Sequence, residues 1–363
     1  MPLDSEIVVH AETHAGRVSR TRVRAKRPHL ASLLLEGRPI AEAATLFGTL
    51  FAICARAQSS AAAAAIAAAL GREAAPAERQ ARSRRIATEI VEEHLWRLLL
   101  DWPKLAGEAP QPKALAEARA LTAAREGSAR PLIEWVSTRV LGEPPQRFLE
   151  REAVASFDAW TRAAGTASAA LAARLLARHA ALGASDVVLL ERGSDALARE
   201  LAAAAEAQGE FESAPHRGGE ARETGVLARN AAHPLVAAAV GRWGRGVGAR
   251  VLARLVDLAR ALVVLAGDDE PLLGAVSAGP GDGIAWAETA RGLLVHLARI
   301  EDGRIGGYRI IAPTEWNFHP EGAMARGALG LAAASDAEVE ERLGWLVASL
   351  DPCAAWRVEI GHA

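Results

Sequence analysis

Apolar and polar residues alternate along 6–14, with Ile7, Val9 and Ala11 on one side and Val8, His10, Glu12 and His14 on the other. Ala15-Gly16 turns the chain into a second alternating run through Val18, Thr21 and Val23, which predicts a β-hairpin over about 6–26. Helical periodicity takes over across 40–70, where a run of small residues implies close packing. It returns as an amphipathic helix over 86–100 that ends before Trp102-Pro103. Residues 72–83, charged and rich in Ala and Pro, read as a linker. Further Ala/Leu helix is expected over 150–182 and 235–265, with a loop over 209–222. Strand-like runs at 293–297 and 307–311 flank the turn Glu301-Asp302-Gly303-Arg304 and predict a second hairpin. A last helix is expected over about 336–350. Together these elements predict one mainly α (α+β) domain over 1–363. A helix-bundle core spans about 40–265, small peripheral β-hairpins lie at about 6–26 and 293–311, and a C-terminal helix and cysteine segment fills 336–363.

Composition narrows the picture. The chain has 84 alanines in 363 residues and only 4% aromatics, which excludes an all-β protein. A net charge of −2 excludes a globally basic nucleic-acid coat. Two cysteines exclude a disulfide framework and a Cys₄ zinc or iron–sulfur site within the chain. The acidic start Met1-Pro2-Leu3-Asp4-Ser5-Glu6 has no apolar h-region, and no apolar stretch approaches the ~20 residues a spanning helix needs. The expectation is a soluble cytoplasmic protein with reduced thiols, without a nucleic-acid or membrane partner.

Three local patterns carry little. His10, Glu12 and His14 share a strand face, but successive positions ~7 Å apart are too spread for one metal ion. Gly244, Gly246 and Gly248 follow a helical stretch rather than a strand, so they are not a dinucleotide loop. Arg20, Arg22, Arg24 and Lys26 share a face of the second strand and read as a solvated face, with an acidic protein partner as the next reading.

The two cysteines stand at opposite ends, in Ile53-Cys54-Ala55-Arg56-Ala57-Gln58 and Asp351-Pro352-Cys353-Ala354-Ala355-Trp356-Arg357-Val358-Glu359. This arrangement resembles the [NiFe] hydrogenase large subunit, whose metals are held by an N-terminal C-x-x-C-x-x-x-H and a C-terminal D-P-C-x-x-C-x-x-H. Between the ends, Glu223-Thr224-Gly225-Val226-Leu227-Ala228-Arg229 is similar to E-V-G-P-L-A-R, Glu288-Thr289-Ala290-Arg291-Gly292 to E-A-P-R-G, and Ala312-Pro313-Thr314-Glu315-Trp316-Asn317 to V-P-T-T-W-N. The resemblance covers nearly the whole chain and implies the large-subunit fold.

The departures decide what the resemblance implies. The family's other cysteines fall on Phe51 and Trp356, and its motif histidines on Gln58 and Glu359. Two of four thiolates are missing, so no nickel is expected and neither catalysis nor hydrogen sensing is supported. By the resemblance, Cys54 matches an iron-bridging cysteine and Cys353 one terminal on nickel. Arg291 matches the arginine that donates to a cyanide on iron, and Thr314 lines the same diatomic-ligand pocket. With its size truncated relative to catalytic subunits, the chain resembles the HupK type of hydrogenase expression/formation protein. This implies a non-enzymatic scaffold that transiently carries an Fe(CN)2CO unit on Cys54 and Cys353. Its implied partners are a HypC-type chaperone, the iron-delivery machinery and the large-subunit precursor. The alternative is a metal-free factor that mimics the large subunit to engage maturation proteins. Arg291 is expected to favour the thiolate, and its plainer role is an ion pair with Glu288 or Asp351. Cys353, on a short terminal segment untethered beyond Ala363, is expected to be the more easily displaced ligand. The resemblance also leads to the expectation that the C-terminal extension that locks many catalytic subunits is absent.

Overall fold

The computed structural model describes residues 6–26, 34–42, 46–47, 54–123, 128–332 and 334–362. Phe51, and part of the helical run expected from 40, lie outside them. The opening hairpin forms as expected. Strand β1 (Glu6–His14) pairs antiparallel with β2 (Arg17–Lys26), joined by Ala15 and Gly16, both at positive φ. A strand missed from the sequence, Ala355–His362, pairs parallel to β1 and closes a three-stranded sheet with β1 in the middle. The inward side chains Ile7, Val9, Ala11, Val18 and Val23 pack on the C-terminal helix Asp336–Leu350 and on residues 323–328.

Helix α1 (Ala55–Ala69) is followed by α2 (Pro76–Trp96), which starts ten residues earlier than the pattern suggested. The presumed linker is largely its exposed first turns. They carry Pro at the first position, where a missing N–H costs nothing, and a Glu78–Arg82 pair one turn apart. The helix also runs past the expected stop. A π-turn at Arg97–Asp101 leads into Trp102–Leu105, and the Leu99 carbonyl, which Pro103 cannot serve, accepts from the Gln111 N–H.

The stretch expected as one helix over 235–265 is two. Pro234–Trp243 ends at Gly244, and α3 (Val247–Ala266) begins after Gly246. A Cβ on Gly248 would sit 2.8 Å from the Ala180 backbone, so this glycine serves close packing rather than a nucleotide. Helix α3 is buried on nearly all sides, with neighbouring helices packed around it. Arg250, Arg254 and Asp257, at i, i+4 and i+7, form one buried charged stripe along it.

The second hairpin is not peripheral. After a short parallel pair, β3 (Val188–Leu189) and β4 (Arg222–Glu223), it forms half of a four-stranded antiparallel meander, β5 (Leu273–Gly279), β6 (Asp282–Thr289), β7 (Gly292–Glu301) and β8 (Arg304–Ile311). Strand β6 is buried along almost its whole length against α1, so closely that a Cβ on Gly283 would lie 2.0 Å from the Ala65 carbonyl oxygen. The small residues of α1 thus admit a strand. Two further helices complete the frame of the site, the short α4 (Pro313–Asn317) after β8 and α5 (Asp336–Leu350), capped by Ser335. The secondary structure is 54% helix and 21% strand, an α+β chain. Among the described residues, no helix is long and apolar enough to cross a membrane.

Candidate functional site

Cys54 is the residue just before α1, and its side chain makes no cap bond. The capping role falls to Glu89 of α2, whose carboxylate accepts from the Arg56 N–H at 2.7 Å and the Ala57 N–H at 3.2 Å. That substitution leaves the thiol free. Gln58, one turn on, hydrogen-bonds the Cys54 side chain, and its buried Oε1 has no partner.

Arg291 occupies the two-residue turn between β6 and β7. The turn sits against the 224–225 segment, where a Cβ on Gly292 would meet the Gly225 nitrogen at 2.6 Å, so glycine is required for the approach. Arg291 is 4% exposed, and its guanidinium faces inward. Its Nη2 donates to Glu93 at 2.6 Å, and its Nε lies 3.8 Å from Asp351 with no hydrogen-bond partner. Glu288 pairs instead with Arg229. Burial disfavours the Arg291 charge, but Asp351, Glu93 and the two thiols outweigh it and push its pKa upward.

Asp351 ends α5 in the left-handed region, φ 56° and ψ 68°, an uncommon conformation for a residue with a Cβ. The strain is held by convergence. Arg97 Nε donates to one carboxylate oxygen at 2.6 Å and Arg254 Nη1 to the other at 2.8 Å. Burial would raise the Asp351 pKa, yet Arg97, Arg254 and Arg291 hold it well below the usual carboxylate range. Two residues on, the half-buried Cys353 lies with its Sγ 3.2 Å from Thr314 Oγ1, which α4 delivers from a fully buried position.

The structure therefore brings Cys54, Cys353, Arg291 and Thr314 into one neighbourhood, with both thiols free. Arg291 does favour the Cys54 thiolate, as expected, but its pull is outweighed. Burial, the neighbouring Cys353 and Glu89 push that thiol up to about 12, against the smaller pulls of Arg291 and Gln58. Cys353 is not loosely held either. It sits between the arginine-clasped Asp351 and the strand Ala355–His362 paired along β1.

Sequence reasoning missed the polar wall behind the thiols. His94, wholly buried, donates from Nε2 to Asp257 at 2.7 Å and accepts at Nδ1 from Arg254 at 3.0 Å, an assignment fixed by the network. Burial lowers its pKa to about 4, so the ring is neutral. Arg229 clasps Asp257 through Nε and Nη2 at 2.8 and 2.6 Å. Charged residues at helical spacing inside the apolar run 247–266 were the available signal. At the positions of the missing ligands, Trp356 lies with its ring tip 3.4 Å from where a Cβ on Gly344 would stand. Glu359 pairs with His10 at 2.8 Å on the outer sheet face. Among the described residues, no three His, Cys, Asp or Glu side chains gather to hold a metal ion, the His10-Glu12-His14 set included.

A family model described as nickel-dependent hydrogenase matches residues 243–358. The chain is 36% identical over 358 residues to the hydrogenase expression/formation protein HoxV of Cupriavidus necator, covering 93% of this chain and 92% of that protein. It is 32% identical over 351 residues to the hydrogenase expression/formation protein HupK of Azotobacter vinelandii, covering 96% and 95%. Among solved structures, the reduced Ni-Fe-Se hydrogenase of Desulfomicrobium baculatum superposes with a TM-score of 0.64 at 15% identity over 95% of each chain. That of Desulfovibrio vulgaris Hildenborough gives 0.61 at 15% over 94% of each. At such identity the likeness is one of fold.

Proposed function

The chain belongs to the family of HoxV- and HupK-type hydrogenase expression/formation proteins, and from that premise we propose that it serves hydrogenase maturation as a non-catalytic scaffold. Its cargo is an iron atom already carrying cyanide and carbon monoxide, the Fe(CN)2CO unit, held between Cys54 and Cys353 until transfer. The observation that carries this reading is Arg291. A guanidinium withdrawn from water beside two free thiols keeps an Nε–H without an acceptor, and a cyanide nitrogen is an acceptor of the right kind. The donor set supports it as well. Two thiols with no third protein ligand among the described residues suit an ion that arrives with ligands of its own. Thr314 adds a hydroxyl at the same wall.

Loading has a proton balance. Cys54 is a neutral thiol when the site is empty, so binding iron releases its proton, with the Glu89 carboxylate beside it. The scaffold exchanges cargo with a HypC-type chaperone and the iron-delivery machinery on one side and the large-subunit precursor on the other. It works in the cytoplasm.

A specific observation favours a second reading, the metal-free factor that mimics a large subunit to engage maturation proteins. A thiol pushed up to about 12 is content without metal. Infrared spectra of the protein isolated from maturation-competent cells separate the two. Cyanide and carbon monoxide stretching bands that vanish in Cys54→Ser are expected for the scaffold. A band-free protein that still restores hydrogenase maturation establishes the mimic.

A further inference from the structure

Three arginines converge on Asp351, and they are not equivalent. Arg254 and Arg291 are sealed in the interior and reach the carboxylate from behind. Arg97 comes from the π-turn of α2 and keeps 17% of its side chain exposed. It makes contacts that neither of the others makes. Its Nε holds Asp351, its Nη2 donates to the Pro352 carbonyl at 3.3 Å, and its Nη1 is anchored on Asp101 one turn along the same helix. One planar fork thus spans the side chain and the backbone carbonyl immediately before Cys353.

We infer that Arg97 is the positioning residue for the Cys353 thiol, setting the peptide that presents it to cargo. The local backbone needs such a hold. Asp351 sits at φ 56°, where a residue with a Cβ stays only if its surroundings over-determine it, and Pro352 has no N–H with which to anchor the turn. The carbonyl of Pro352 therefore takes the load, and Arg97 is its partner. The π-turn is the local device that makes this reach possible, since a widened turn carries the fork while the Trp102 N–H donates back to the Arg97 carbonyl. A lysine keeps the charge but has one nitrogen and no fork, so it cannot hold Asp351, Pro352 and Asp101 together. Because Arg97 and its anchor Asp101 are the solvent-facing part of this cluster, contact at the protein surface reaches Cys353 through them.

The inference deepens the scaffold reading and rests on it for its purpose, but its test needs no cargo. The full-length, metal-free protein is treated with iodoacetamide, and the alkylation rates of Cys353 and Cys54 are followed separately by mass spectrometry. In Arg97→Lys the Cys353 rate is expected to rise about tenfold, the ratio that 1.4 kcal/mol of lost ordering corresponds to. Cys54 should be unaffected, and the melt should stay cooperative. An unchanged Cys353 rate in a cooperatively melting variant overturns the assignment. A parallel rise at both thiols does so too, because it marks general loosening. If Arg97→Lys does not fold, Asp101→Asn poses the same question from outside the core. A faster Cys353 there supports the inference, and an unchanged one refutes it. Infrared bands play no part, so failure of the scaffold reading leaves this outcome separately readable.

Discussion

Arg254 donates to Asp351 across 2.8 Å with both groups almost wholly withdrawn from water. Taking each ion out of water costs several kcal/mol, which only close pairing offsets. Asp351→Asn keeps the shape, and Asn is among the residues that best tolerate left-handed backbone. It leaves Arg97 and Arg254 facing a neutral amide. The expected loss is about 3–5 kcal/mol in urea unfolding. A loss no larger than the ~1 kcal/mol of an exposed pair would show that charge is not what fixes this corner.

Acid should weaken the fold in two stages. His94 and His296 are both fully buried, with pKa values lowered by burial to about 4 and about 3, against 6.5 for an ordinary histidine. Below pH 6.5 the unfolded chain therefore takes up protons that the folded chain refuses. The histidine contribution is full above that pH and falls as pH drops toward 4, by about 3 kcal/mol for His94 alone, while Glu89, pushed up to about 7 by burial, acts in the opposite direction over the same window. Asp257 and Asp351, held below the usual range by their arginines, keep their contribution until the pH falls below about 4 and lose it only there. Unfolding free energy measured from pH 7 to 4 should show the first stage, with a shallower slope in His94→Gln. An identical slope would mean that His94 charges without cost in the folded state.

What the sequence disclosed follows from what kind of signal each feature leaves. The limits of α5 were readable because Ser335 caps it and Asp351-Pro352 cannot continue it. The opening hairpin was readable because one of its faces is apolar and the other charged. Strand β6 left no alternation, because Ala285, Trp286 and Ala287 are buried on both faces. The strand Ala355–His362 did alternate, with Val358 and Ile360 half-buried and Arg357 and Glu359 facing out. The family's ligand motif falls on the same residues, Trp356 and Glu359 among them, and masks that alternation. Cys54, Cys353, Arg291 and Thr314 stood out because motifs name them. Arg97, Arg254, His94 and Asp257 did not, since a buried charge is written with the same letters as a solvated one. Only the fold pairs them.

The contact between α1 and β6 gives a direct test of how the first thiol is placed. Gly283→Ala puts a methyl 2.0 Å from the Ala65 carbonyl oxygen, a contact that backbone must yield to. The expected cost is about 1–3 kcal/mol. Because α1 begins right after Cys54, its displacement should also change the Cys54 alkylation rate while leaving Cys353 alone. A stable variant with unaltered Cys54 reactivity would mean that the strand, rather than the helix, gives way.

The two thiols, finally, are expected to be of equal weight in retaining cargo. An easily displaced Cys353 was the natural expectation for a residue near a chain terminus, but eight residues of strand pairing follow it and a clasped aspartate precedes it. Neither thiol can swing away without breaking ordered structure, since Cys54 is fixed by the start of α1 and by Gln58. Under the scaffold reading, Cys54→Ser and Cys353→Ser should therefore each abolish the cyanide and carbon monoxide bands, and each should leave the melting temperature near that of the parent protein. Release then cannot rely on a loose terminal ligand and must come from a partner that disturbs the Arg97–Asp351 clasp or the strand pairing. Bands retained in Cys353→Ser but lost in Cys54→Ser would show that one thiol suffices as anchor. The tethering of Cys353 would then serve the fold rather than the cargo.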